Sequence, residues 1–416
     1  MEELDRRLLL GAAGLAGVAA LAGRSKAGPL TPPAGAVTAT AKPLTDVEPR
    51  TIVNAANTPG DATAQFIIAQ SGSYALAANT VPVAGKITIK ITASDVSLDL
   101  RGFTIRGSAS SSDGVNAPTA GIRNLAIVNG VISGCGGSGI NAAVSASSRF
   151  ADLHLTDNAA GNLYPGAQAV IERVNTTGGA AGIAASDRCT ISACTVRTAT
   201  GTGIQAGFNC VVTGCTALLC GSHCIDVGNG SVIQNCAGSG SAAGHGIRAN
   251  YAASVIDCVA NSNALNGIET QQRNIVSRCL TVANLQNGIH AQFVGTVEDC
   301  FCEGNTTCGI LAENGIITIR RNTCNDNGTA AGANGAGIRV AGNGNTVEGN
   351  CVAANYRGID MIGGRNGIYT NRAWGNSNAD YSMGVGNSYG PIIAALGTGD
   401  ITSTANSNHP LANLRF

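Results

Sequence analysis

A Gly-Ile step returns along this chain at almost constant intervals. Gly182-Ile183, Gly203-Ile204, Cys224-Ile225, Gly246-Ile247, Gly267-Ile268, Gly288-Ile289 and Gly309-Ile310 follow one another at intervals of 21, 21, 22, 21, 21 and 21. An insertion around residues 328–336 stretches the next interval to 28, at Gly337-Ile338, and Gly358-Ile359 comes 21 later. A second ladder keeps the same period. Cys194, Cys215, Cys236, Cys258, Cys279 and Cys300 are 21, 21, 22, 21 and 21 apart, and Asn322, Asn350 and Asn371 then take over the position. Two ladders in lockstep mark a repeat architecture, in which each unit is too small to bury its own apolar face and must stack on its neighbours. The unit here holds short β-branched runs such as Thr190-Ile191, Val211-Val212, Val232-Ile233 and Val255-Ile256, separated by Gly, Asn and Ser. It contains no helical periodicity, which excludes a helical hairpin. The predicted fold is all-β: a right-handed parallel β-helix, a solenoid that completes one coil in each repeat. Equivalent residues of successive coils then lie one strand spacing, ~4.8 Å, apart.

Composition agrees with thin, regular layers. Aromatic residues are 4% of the chain and Met occurs 3 times in 416 residues, so the core must be built from Ile, Val, Ala and Cys. Hydrophobic residues at 44% argue against disorder, and the 57 Gly follow no Gly-X-Y period, which excludes collagen. Lys+Arg and Asp+Glu are 25 each, and the resulting zero net charge removes the electrostatic case for nucleic acid as a partner.

Residues 1–27 read as an export signal. Arg6 and Arg7 precede an apolar stretch from Leu8 to Leu21, shorter than the ~20 residues of a membrane span. The paired arginines resemble the twin-arginine motif, an address read by a receptor. No membrane span is expected in the mature chain, whose expected location is periplasmic, extracellular or at the cell surface. Residues 28–60, rich in Pro, Thr and Ala, are expected as a linker, 61–378 as the β-helix with 61–70 capping its start, and 379–416 as a C-terminal cap. A solenoid needs such caps because open sheet edges template aggregation.

The chain has 15 cysteines. In an exported protein, regular cysteine spacing usually signals disulfides. Here the spacing is the coil repeat itself, and stacked equivalents would hold their Cβ vectors parallel, which suits a disulfide poorly. The ladder is therefore expected to be inward, buried and unbonded. No CxxC pairs with a second CxxC or an HxxxH, and neither a metal nor a cofactor is expected. Asn263, Asn284, Asn305 and Asn355 are expected either at left-handed turn positions or in amide ladders.

The stacked Gly-Ile pattern, with the early segment SDVSLDLRGFTIRG over residues 94–107, resembles the secreted right-handed β-helix proteins of the pectin-lyase-like superfamily. The resemblance covers roughly residues 65–390 and implies the fold. For activity it implies a range: polysaccharide lyases, hydrolases, epimerases and tailspike-like modules. Gly244-His245-Gly246 matches the G-H-G of polygalacturonase-type hydrolases, but Thr200-Gly201-Thr202 and Ser222-His223 stand where those enzymes carry N-T-D and D-D. Glycoside hydrolysis generally needs two carboxyl groups, and these are missing.

What remains is a strip. Strand alternation turns Ile inward and the next residue outward. That outward row reads Ala184, Gln205, Asp226, Arg248, Glu269, His290, Leu311, Arg339 and Asp360, and the residues just before the Gly or Cys of each step include His223, His245, Asn266 and Asn287. His223, Asp226, His245, Arg248, Glu269 and His290 are expected to form one exposed binding patch, in which replacing Arg248 and Glu269 by Ala should cost little stability. The expected function is recognition of extracellular polysaccharide or a cell-surface partner. A polysaccharide lyase or glycoside hydrolase with a non-standard site on the same face, or a purely structural surface protein, are the alternatives.

Overall fold

The β-branched runs form strands because three residues suffice to bury one side chain and turn two outward. Thr190–Ser192, Val211–Thr213 and Val232–Gln234 each bury only the middle residue. The computed structural model describes residues 49–328, 334–394 and 404–416; the export signal expected at 1–27 lies outside them. Each regular coil has three strands, as in Ile183–Ala185, Thr190–Ser192 and Thr195–Arg197, and each pairs in parallel with its equivalent one coil on. The fold is a parallel β-solenoid with its core inside the coils.

The Gly-Ile step forms one inward column. Ile183, Ile204, Ile225, Ile247, Ile268, Ile289, Ile310, Ile338 and Ile359 are successive register partners and have no exposed surface. Ile310 pairs with Ile338 across the insertion, so the extra residues leave the ladder unbroken. Burying an Ile side chain stabilises by about 1.5–3 kcal/mol, and the column repeats that gain once per coil.

Between the second and third strands the chain turns at one residue of positive φ: Ala193 (52°), Asn235 (53°), Asp257 (54°), Arg278 (53°), Asp299 (56°) and Arg321 (55°). Such a conformation costs a non-glycine residue about 1–2 kcal/mol. The next residue holds the corner. Sγ of Cys236 accepts the backbone N–H of Cys215 from the preceding coil at 3.4 Å, and Sγ of Cys300 accepts that of Cys279 at 3.4 Å. Asparagine then takes over the same task. Oδ1 of Asn322 accepts the Cys300 N–H at 2.9 Å, Asn350 that of Asn322 at 2.9 Å, and Asn371 that of Asn350 at 3.0 Å. All cysteines are free thiols, and every one except Cys351 is buried. At the corner after the third strand, Asn263, Asn284, Asn305, Asn327 and Asn355 bond amide to amide at 2.8–3.0 Å. These are ladder positions; the left-handed turn is taken by the residue before, as at Ser262 (53°) and Ala283 (53°).

The ladder extends past both ends of the expected 61–378 span. Thr51–Ile52, within the stretch read as linker, pairs with Gly72–Ala75. Ala64–Ile68 is a regular parallel strand against Ile87–Ile91. Ala379–Met383 still stacks on Arg357–Met361, and Asn413–Arg415 closes against both Arg372–Trp374 and Ile392–Ala394. Among the described residues no helix is long and apolar enough to cross a membrane.

Candidate functional site

Register alone assembles the strip. Asp226, Arg248, Glu269 and His290 are consecutive Cα partners, followed by Leu311, Arg339 and Asp360. His223, His245, Asn266 and Asn287 climb beside them, three positions earlier on each coil. All six residues expected at the site are thus brought onto one face.

The row before the step is a hydrogen-bonded ladder of its own. The backbone N–H of His245 donates to Nδ1 of His223 at 3.1 Å, that of Asn266 to Nδ1 of His245 at 3.2 Å, and that of Asn287 to Oδ1 of Asn266 at 2.9 Å. The two imidazoles stack 5.1 Å apart and 4° from parallel. A ring nitrogen that accepts a backbone N–H carries no proton, so each neutral ring bears its hydrogen on Nε2. Burial pushes His245 down to about 4 and lowers His223 as well. At neutral pH the pair is uncharged, with two parallel Nε2–H donors that have no protein partner among the described residues.

The second row is charged, and its centre is not exposed. Glu269 is 6% exposed, buried rather than at the surface as expected. Its Oε2 accepts Asn266 Nδ2 at 2.6 Å and faces His290 Nδ1 at 2.9 Å, while Oε1 accepts Gln292 Nε2 at 2.7 Å. The other side of His290 meets Glu313 at 3.1 Å. Burial opposes the charge on Glu269, but His290, His245 and Asn266 outweigh it and hold the carboxyl below its usual range. Burial likewise opposes charge on His290, and Glu269 and Glu313 raise it above the ordinary imidazole value. Asp226 lies 3.7 Å from Arg248, and one of its oxygens is buried without a partner. Burial raises its carboxyl above the usual range. His223, Asp226, His245, Arg248 and His290 are half-buried, so the strip is a shallow, structured surface.

Because Glu269 terminates three donors, its replacement by Ala leaves Asn266, His290 and Gln292 without their acceptor. The expectation that Arg248 and Glu269 can be removed at little cost in stability therefore fails for Glu269. Gln292 and Glu313 were missed in the sequence. The signal was one further step of alternation, two positions beyond His290 and Leu311. Among the described residues, no group of three or more His, Cys, Asp or Glu is placed to hold a metal ion.

Residues 223–377, which include all six expected site residues, match the family model described as the right handed beta helix region. Over that stretch the solenoid is a right-handed parallel β-helix. No curated protein matches the chain. Several solved structures are similar to this β-helix. The A-module of an Azotobacter vinelandii mannuronan C-5 epimerase is 14% identical, with TM-score 0.45, over 76% of this chain and 91% of that one. A periplasmic alginate epimerase is 13% identical, with TM-score 0.43, over 77% and 76%. A double mutant of the tailspike protein of E. coli bacteriophage HK620 is 12% identical, with TM-score 0.39, over 75% and 60%.

Proposed function

We propose that this β-helix is an exported protein that recognises an extended polysaccharide along the strip from His223 to His290, outside the cytoplasm or at a cell surface. The observation that carries the reading is the stacked pair His223 and His245. Their Nδ1 atoms are consumed by backbone N–H groups, and their Nε2–H groups point away from the ladder, one per coil. Neutral donors in a regular row suit hydroxyl and ring oxygens of a repeating polymer. The paired Arg6-Arg7 and the apolar stretch after them support export.

Hydrolysis or elimination on this face would require a base with a free lone pair at the surface. Both oxygens of Glu269 already hold hydrogen-bond donors, the accessible nitrogens of His223 and His245 carry protons, the unpartnered oxygen of Asp226 is buried, and Glu313 is engaged by His290 Nε2. The geometry favours recognition over catalysis. The test is a panel of neutral and acidic polysaccharides, scored for both binding and product release. A ligand should bind without being cleaved, and the double substitution His223→Ala, His245→Ala should weaken it about tenfold or more, the loss of one to two hydrogen bonds. Product release that is lost on mutating the strip would favour the enzyme reading, and unchanged binding would leave the strip a structural surface.

A further inference from the structure

Away from the strip, the outward row of the third strand is small or apolar along much of the solenoid: Thr195, Thr216, Ala237, Val259, Leu280 and Phe301 are register partners. On earlier coils the same row carries Val131, His154 and Asn175. The surface is dented beside these two polar residues. A groove of about 450 Å3 is lined by Gly102, Gly130, His154, Asn175, Asp152 and Arg173. His154 and Asn175 are exposed, and among the described residues neither side chain has a hydrogen-bond partner.

The charged part of the lining is electrically closed. Asp152 and Arg173 occupy the positive-φ corner at 55° and 52° and form a two-pronged ion pair, at 2.6 and 2.9 Å. Arg173 also bonds Glu172 at 3.0 Å, and Glu172 in turn bonds Arg149. Two guanidinium groups thus face two carboxylates, and an ionic ligand would have to break a formed pair to gain one. A hydroxyl group can join such a pair at its rim, donating to the carboxylate or accepting from the guanidinium. Small-molecule sites typically occupy ~300–1,000 Å3, and this groove falls at the lower end.

We infer that the groove beside His154 and Asn175 is a second binding site, for a neutral hydroxyl-rich ligand the size of one or two sugar units. It shares no residue with the strip and lies outside residues 223–377. His154 and Asn175 supply an imidazole and a carboxamide one strand spacing apart, and the Asp152–Arg173 pair lines the same groove.

The chain has five histidines, so its imidazole spectrum can be assigned by substitution. The full chain labelled with nitrogen-15 is titrated with cellobiose, lactose and mannobiose, and with digalacturonate as a charged counter-probe. At least one neutral disaccharide should shift the His154 signals, and the double substitution His154→Ala, Asn175→Ala should weaken its binding about tenfold. The pair Asp257→Ala, Arg278→Ala, at an equivalent corner away from the groove, should leave that binding unchanged. If none of the three neutral disaccharides moves His154, or if the double substitution binds as well as the parent, the site does not exist. A preference for digalacturonate overturns the neutral class. A disaccharide seated on the strip would instead move His223 and His245, so the two sites fail separately.

Discussion

Two side-chain ladders climb this solenoid, at the corner before the third strand and at the Gly-Ile step, and both answer the same need. Where the chain bends, one backbone N–H per coil falls out of the sheet's own pairing, and a side chain of a neighbouring coil accepts it. The corner ladder uses up everything it has. Asn350 accepts the N–H and Nδ2 of Asn322 at 2.9 and 3.0 Å, and its own Nδ2 donates to Ile319 O and Asn371 Oδ1 at 3.0 and 2.9 Å. The step ladder does not. His223 and His245 accept one N–H each through Nδ1 and keep Nε2 for the outside. An amide is short enough to be enclosed, whereas an imidazole spans the depth of the wall. Binding capacity arises where the rung is longer than the wall it seals.

The largest effect should come from breaking the corner. Asn350→Leu leaves the Asn322 N–H without its acceptor, at about 1–3 kcal/mol, and removes one bond each from Asn322 Nδ2, Ile319 O and Asn371 Oδ1, at about 0.5–1.5 kcal/mol apiece, so a loss of about 4 kcal/mol is expected in urea unfolding. A much smaller loss would mean that the corner relaxes to water and that the two ladders are not distinct. The step region should respond next. Glu269→Ala leaves Asn266, His290 and Gln292 without their acceptor and should cost about 3 kcal/mol. Arg248→Ala, whose ion pair is longer and more exposed, should cost less than about 1 kcal/mol. Equal losses would contradict the burial difference between them.

A smaller effect distinguishes the ladders by pH. The asparagine rungs of the corner carry no titratable group, whereas the imidazole rungs of the step do. His245 is held at about 4 by burial when folded, against ~6.5 in the unfolded chain. Its stabilising contribution is therefore complete above about pH 6.5 and is lost as pH falls toward 4, with a slope approaching about 1.4 kcal/mol per pH unit at most. His223 acts in the same direction. His290 and Asp226, both raised, act oppositely, each contributing stability that is present at low pH and lost as pH rises through its folded value. His245→Asn keeps an acceptor for Asn266, as Asn266 itself does for Asn287, and should flatten the acid limb of stability against pH. An unchanged slope would place the titration elsewhere. The smallest effect tests whether thiol and amide are equivalent rungs. Cys300→Asn extends the asparagine ladder by one coil and should change stability by less than about 1 kcal/mol, since one acceptor replaces another at the same N–H. A loss of several kcal/mol would show that the thiol's size, and not its acceptor, is what the corner requires.

The sequence showed the repeat because strand stacking is a translation: whatever one coil needs at a corner or in the core, the next needs one period later. Ile183 through Ile359 and Cys194 through Asn371 were visible on that ground. The ends were less legible. Thr51–Ile52 and Asn413–Arg415 pair as strands without carrying the step, since a terminal coil has a neighbour on one side only and is free to vary. The membership of the strip was also written in the sequence, since register follows from period.

By itself, then, the sequence determined the all-β solenoid, its inward columns and which residues share a face. Only the tertiary structure decided how deep each of them lies and which atoms are spent. Period says that Glu269 and His290 are neighbours. It does not say that Asn266, His290 and Gln292 close over Glu269, or that the thiols of Cys236 and Cys300 accept backbone N–H groups in place of an amide. Those outcomes depend on side-chain reach across a wall of fixed thickness, and reach is a three-dimensional quantity that spacing along the chain does not encode.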